Sequence, residues 1–214
     1  MSNLSKRIIT SFFLVLLLLL SSKSIFILSI ILIFIIYQMF YEFYFLLSNI
    51  YLKNKIRIYL LSLFILMLLI AINYKVWLIF YLDDTVQIKL FFFIITVCIS
   101  TDIGGYLFGK LFKGKKLTKI SPNKTISGLY GSYFLSIFLS LIFFKGLYEN
   151  YIIIIISFII STISQLGDLF VSYLKRRANL KDTGKIFPGH GGILDRLDGI
   201  IFALPLGQIV LSVI

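Results

Sequence analysis

The residues best suited to do chemistry crowd into one stretch, SYLKRRANLKDTGKIFPGHGGILDRLD, residues 172–198. Lys175, Arg176 and Lys181 form a basic cluster that follows an apolar run. Pro188-Gly189-His190-Gly191-Gly192 spells a sharp, sterically open turn that lets backbone come close to a ligand. Asp195 and Asp198 stand at i and i+3, a spacing that puts them on one face of a starting helix. Cations, carboxylates and an open glycine turn in one segment suit a site for phosphate and a divalent metal.

Two further carboxylates, Asp168 in QLGD and Asp102 in DIGGY, lie inside or at the end of apolar runs. A charge at the centre of a membrane span costs about 2.5–3.5 kcal/mol on insertion scales, so such residues are functional candidates by default. Pairing with a loop Lys or Arg for assembly remains open for each. A second basic segment, KISPNKTISG over residues 119–128, places Ser121 and Lys124 just before an apolar run. That is an anion-receptive helix start. The one cysteine, Cys98, sits in mid-run, which rules out a disulfide framework or a cysteine metal site and leaves a small core hydrophobe.

The elements that must position these groups are membrane helices. The chain has 214 residues, 59% hydrophobic and only 14% charged, with a mean hydropathy of +1.01. A soluble domain is nearer half apolar and a quarter charged. Runs at 8–22, 24–41, 58–74, 125–144, 150–167 and 199–214 carry no charge, and a seventh, 90–109, is interrupted by Asp102 alone. A span needs about 20 such residues, and lone strands cannot satisfy their backbone in lipid. The expected fold is therefore all-α and polytopic: seven transmembrane helices, within a range of six to eight. Several runs are short, which tilt or local thinning accommodates. Trp77–Leu82 is too short to span and is expected to cap a neighbouring helix. Lys6-Arg7 before Ile8–Leu20 has the look of a signal peptide, but a second apolar run after Lys23 favours a retained helical hairpin. One membrane domain over 1–214 is expected: N-terminal helices of lipid-facing type (1–90), a catalytic region (91–200) and a last transmembrane helix (199–214). No internal repeat is evident.

The net charge of +12 supplies the orientation. With seven spans and a cytoplasmic N-terminus, 17 of the 21 basic residues fall on the cytoplasmic side. The two large basic segments, 110–124 and 172–198, then share one face. Anionic lipid head groups are natural contacts there.

Together these motifs resemble the phosphatidate cytidylyltransferase family. Its signature is similar to S-x-hydrophobic-K-R-x4-K-D, a small residue, P-x-H-G-G and D-R-x-D. Ser172, Lys175, Arg176, Lys181, Asp182, Gly184, Pro188, His190, Gly191, Gly192, Asp195, Arg196 and Asp198 match it. Gly167-Asp168-Leu169 looks like the family's G-D-L element. The stretch 102–131 resembles a second element through Tyr106, Gly109, Ser121-Pro122, Lys124-Thr125 and Gly128. The resemblance covers roughly residues 90–200. Ahead of it only Arg7 and Glu42 match, in style. Ser127 stands where the family often has an acidic or amide residue, and the chain is shorter than the usual member, mainly before residue 90.

The resemblance implies the reaction of CTP with phosphatidate, giving CDP-diacylglycerol and pyrophosphate in phospholipid biosynthesis. The nucleophile is a phosphate oxygen, already anionic, so the site needs charge neutralisation and alignment rather than a general base. It also implies Mg²⁺, with a second cation left open. The expected roles put Mg²⁺ on Asp168 and Asp195, with Asp198 or Asp182 in support. Lys175, Arg176, Lys181 and Arg196 take phosphates, Gly191-Gly192 turn backbone N–H groups toward a phosphate, and His190 bonds a phosphate or the leaving pyrophosphate. Ser121, Lys124 and Asp102 close the other side. CTP, phosphatidate and membrane lipids are the expected partners, with no nucleic acid. The expected setting is the inner, cytoplasmic membrane, and a homodimer is a candidate assembly. A CDP-alcohol phosphatidyltransferase would need Ala-Arg after Asp198-Gly199, which is missing here. A CTP-dependent polyprenol or lipid kinase fits the P-x-H-G-G and D-R-x-D pair poorly. A degenerate, non-catalytic scaffold would have no use for the intact carboxylates, and a transporter using Asp102 and Asp168 would show no CTP dependence.

Overall fold

The structure, a computed structural model, describes residues 24–51, 54–118, 120–184, 186 and 191–213. The described residues form helices and turns, with no strand beyond isolated bridging pairs. In chain order the helices are α1 (Ile25–Ile50), α2 (Lys55–Tyr81), α3 (Thr85–Phe112), α4 (Ile126–Phe143), α5 (Asn150–Arg177), the single turn α6 (Leu194–Leu197) and α7 (Ile200–Val213).

α1 to α5 are each long and apolar enough to cross a membrane. Each covers one of the apolar runs, α3 the one that Asp102 interrupts, and α7 covers another. The run at 8–22 lies outside the described residues. The sides of these helices bear bare Ile, Phe, Leu and Tyr, such as Phe26, Ile33 and Phe34 on α1 and Ile56, Leu60 and Phe64 on α2. Apolar surface on that scale is tolerated in lipid, where acyl chains cover it. The protein is thus an all-α, multi-pass membrane protein.

Two expectations about element ends are corrected. Trp77–Leu82 does not cap a neighbour. It is the end of α2, which runs on through Lys75 because one lysine near a helix end can carry its amine to the interface. Trp77 stacks on Tyr81 with centroids 4.6 Å apart and donates its indole N–H to Ser29 of α1 at 3.0 Å. Likewise, Lys175, Arg176 and Arg177 do not follow the last long helix. They are its final turn, where cations meet the negative end of the helix dipole.

The contacts divide the chain into two compact units. In the first, which comprises Met1–Asp84 with Leu174–Leu197, α1 packs on α2 and touches α6. In the second, Thr85–Tyr173 with Asp198–Ile214, α3 packs along α4 and against α7. Small residues set the α3–α4 approach: a Cβ on Gly128 would lie 2.7 Å from the Gly105 carbonyl oxygen, and one on Gly105 would lie 2.8 Å from Ser132 Oγ. Thr101 donates to Ser161 Oγ at 2.8 Å, and Ser132 donates to the Thr101 carbonyl at 2.7 Å. These bonds satisfy hydroxyls that have no water to turn to.

Candidate active site

In the first unit the site grows from the end of α5. The Leu180 N–H donates to the Lys175 carbonyl at 2.9 Å, and Asn179 adopts a left-handed φ of 56°. This is a helix stop in which Asn stands where glycine is usual. The chain turns back, and Thr183 comes to lie beside Asp195. Asp195 Oδ1 takes the Lys175 ammonium at 2.8 Å. Its Oδ2 accepts the backbone N–H of Thr183 at 2.8 Å and of Gly192 at 3.0 Å, and lies 3.0 Å from Thr183 Oγ1. Burial alone would raise the Asp195 pKa. The Lys175 ammonium and the N–H donors of Gly192 and Thr183 outweigh it and hold the carboxyl below its ordinary value.

Beneath this pair lies Glu42 of α1, fully buried. Its Oε1 accepts Gln38 Nε2 and the Ile193 N–H, each at 3.0 Å. Its Oε2 accepts the Thr183 hydroxyl at 2.6 Å and the Leu194 N–H at 2.9 Å. The glycines around it are glycine for steric reasons. A Cβ on Gly192 would collide with the Glu42 carboxylate, and one on Gly184 would lie 2.9 Å from Glu42 Oε1. Gly191, at φ +79°, has Asp195 Oδ2 at 2.5 Å from the place of its missing Cβ. Gly192 thus makes room for the Glu42 carboxylate and Gly191 for that of Asp195, and the Gly192 N–H is already engaged by Asp195.

In the second unit, Lys124 forms an ion pair with Asp168 Oδ2, both side chains partly exposed. Ser172, one turn further along α5, donates to Asp168 Oδ1 at 3.3 Å. Lys124 is presented by a turn in which its N–H bonds the Ser121 carbonyl at 3.1 Å. Two bonds close the basic loop around that turn: Leu117 N–H to the Lys124 carbonyl at 2.8 Å, and Ile126 N–H to the Lys115 carbonyl at 3.0 Å. Thr125 then caps α4 by accepting the Gly128 N–H at 3.1 Å. Ser127 donates to the Lys113 carbonyl, so the position that departs from the family pattern ties down the end of this loop.

Asp102 is exposed on α3. Arg176, Lys181, Asp182 and Arg196 are exposed at the surface of the first unit, with Arg176 Nη1 3.5 Å from the Leu180 carbonyl. Asp198 is not on a helix face shared with Asp195. α6 stops at Leu197, and Asp198 accepts the Gly199 N–H at 2.9 Å in the turn before α7. His190 lies outside the described residues. Glu42 and Thr183, which the signature segment did not single out, complete the hydrogen-bonded cluster around Asp195. A solitary acid in an otherwise apolar α1 was the available signal for Glu42, while Thr183 gave none.

Among the described residues no three His, Cys, Asp or Glu side chains gather to hold a metal. Mg²⁺ needs no such cage: it binds through one or two carboxylates, with water and substrate phosphate completing its shell. Asp168 and Asp195 offer hard oxygen donors of that kind. Each already has an ammonium at ion-pair distance, so each is a place where positive charge is at home. Each carboxylate, taken within its own unit, is a donor of the kind the ion takes.

A model of the cytidylyltransferase family matches residues 3–214. Proteins named phosphatidate cytidylyltransferase are among the relatives. That of Staphylococcus epidermidis is 41% identical over 136 residues, 62% of this chain and 52% of its own. That of Staphylococcus aureus is 48% identical over 115 residues, 52% of this chain and 44% of its own. That of Staphylococcus saprophyticus is 45% identical over the same length. The chain spans about half the length of these curated relatives. With its signature residues in place and the family pattern running nearly end to end, this chain belongs to the cytidylyltransferase family.

Proposed function

We propose that the protein is a phosphatidate cytidylyltransferase, converting CTP and phosphatidate to CDP-diacylglycerol and pyrophosphate. The observation that carries this reading is the family match over residues 3–214, which embraces every motif residue described above. A phosphatidate oxygen attacks the α-phosphorus of CTP. The bond from that phosphorus to the bridging oxygen of the β-phosphate breaks, and pyrophosphate leaves.

The chain's own groups suit a transfer limited by charge and alignment. Lys175 and Lys124 are amines held in place by carboxylates, ready to face phosphate oxygens. Arg176, Lys181 and Arg196 are exposed cations near Lys175 in sequence and serve as further phosphate contacts. Asp168 and Asp195 are the groups that would hold Mg²⁺. When bound, the ion neutralises triphosphate charge and polarises the phosphoryl oxygens. Asp198 and Asp182 support, and Ser121 shapes the turn that presents Lys124. The basic loops face the cytoplasm, where CTP is found, with the N-terminus on the same side and seven spans in the cytoplasmic membrane.

The test is label transfer. The chain, purified in detergent, receives phosphatidate, Mg²⁺ and radiolabelled CTP, and the organic phase is counted. Transfer that vanishes in Asp195→Ala and on chelation of Mg²⁺ supports the reaction and the role of Asp195. Full activity in Asp195→Ala overturns that role. A folded preparation that transfers nothing, beside an active family enzyme, overturns the reaction for this chain.

A further inference from the structure

Resting on that proposed reaction, we infer that Glu42 is a positioning residue: a buried clamp, far away in sequence, that fixes the segment carrying Asp195. Four donors reach its two oxygens, and three of them, the Thr183 hydroxyl and the Ile193 and Leu194 N–H groups, belong to that segment. The two N–H groups are unpaired donors at the start of α6, which the one-turn helix cannot satisfy itself. A carboxylate beneath them satisfies both and orients the turn. Thr183 links the clamp to the reacting side. Its hydroxyl has one proton, given to Glu42 at 2.6 Å, while its N–H goes to Asp195 at 2.8 Å. One residue thereby ties the two carboxylates together.

The geometry also explains why packing alone is an inadequate account of Glu42. An apolar residue of the same size would leave Ile193 N–H and Leu194 N–H buried without acceptors. The isosteric amide is the sharper probe. In Glu42→Gln one oxygen becomes an NH₂ that faces donors, whichever way the amide turns. Shape is kept and a bond from a backbone N–H, Ile193 or Leu194, is lost, because Gln38 can turn its amide and Thr183 its hydroxyl to accept from the NH₂ but a backbone N–H cannot.

The experiment measures label transfer, per amount of monodisperse folded protein, for Glu42→Gln, Thr183→Val, Thr183→Ser and the Glu42→Gln/Thr183→Val double variant. Second-layer partners of a reacting group are worth about 10–100-fold. The expected result is a kcat about tenfold or more lower in Glu42→Gln, with KM for CTP little changed. Thr183→Val should behave alike, and Thr183→Ser should recover most of what Thr183→Val loses. Residues acting through one network are not additive, so the double variant should be no worse than the worse single. Wild-type kcat in Glu42→Gln, or losses that multiply in the double variant, overturns the inference. If Glu42→Gln does not fold, the Thr183→Val and Thr183→Ser pair decides alone. Amide exchange separates this inference from the reaction it rests on. Should the wild-type chain transfer no label, the reaction fails, and the clamp is judged from Ile193 and Leu194. Faster exchange of their N–H groups in Glu42→Gln upholds the clamp, and unchanged protection overturns it.

Discussion

At Asp195, burial and pairing pull in opposite directions, and pairing wins. A carboxyl whose folded pKa is held low stabilises the fold at pH values above the ordinary carboxylate range. It loses that contribution as pH falls through the lowered value. Lys175→Met removes the largest of the opposing influences and leaves Asp195 with N–H donors only. We expect it to cost about 1.5–3 kcal/mol near neutrality, the worth of a hydrogen bond to a charged group. The gap to wild type should close as the medium is acidified below the ordinary carboxylate range. Thermal unfolding in detergent from pH 7 down to pH 3 checks this, and a gap that widens on acidification would contradict the assignment. The Lys124–Asp168 pair is a useful contrast, because both side chains are about a quarter exposed. Pairs in that setting contribute about 0–1 kcal/mol. Lys124→Met should barely move the melting temperature yet lower label transfer by about a hundredfold, the usual loss when a group stabilising developing charge is removed. Equal losses of stability and activity would recast Lys124 as a structural residue.

Elements were more legible than residues, and hydropathy explains why. An apolar run of 16 or more residues admits one structure in lipid, so each described run is a helix. The ends were less legible. A lysine at 75 and a basic triplet at 175–177 read as breaks, yet long cationic side chains reach the interface from a continuing helix. The signature segment was readable as a phosphate site from its composition, and Lys175 with Asp195 does form a pair there. Glu42 was not readable as their support, since its partners are some 140 to 150 positions away in sequence and three of its four bonds go to that distant segment. The glycines of DIGGY serve packing: Gly104 and Gly105 are where α3 meets α4, and a Cβ on Gly104 would collide with the Gly131 carbonyl. Backbone cannot retreat as a side chain end can. Gly104→Ala should therefore cost about 1–3 kcal/mol, as overpacking in a filled core does. Melting in detergent measures it, and an unchanged midpoint would mean that α3 and α4 are held less closely than the structure has them.

For the whole molecule, the distribution of charge matters more than any single contact. The loop between α3 and α4 carries Lys113, Lys115, Lys116 and Lys124, whereas the connection between α4 and α5 offers Lys145 with Glu149. α4 between them has 18 residues, about 27 Å at 1.5 Å per residue, close to the thickness of the hydrocarbon core. If α4 spans and basic loops stay in the cytoplasm, Lys116 and Lys145 lie on opposite sides of the membrane. The chain's one cysteine, Cys98, is buried, so an introduced thiol can be read against a quiet background. Both lysines are exposed, and the ion pairs of the two carboxylate clusters are made by Lys124 and Lys175, so each tolerates replacement. In intact cells a membrane-impermeant maleimide should label Lys145→Cys directly and Lys116→Cys only after permeabilisation. The reverse pattern would invert the orientation and put the basic loops where CTP is absent, removing the topological support for the proposed reaction. Labelling of both from outside would deny that α4 crosses at all. The expected pattern would leave Lys124 and its turn on the side of the membrane that supplies the nucleotide.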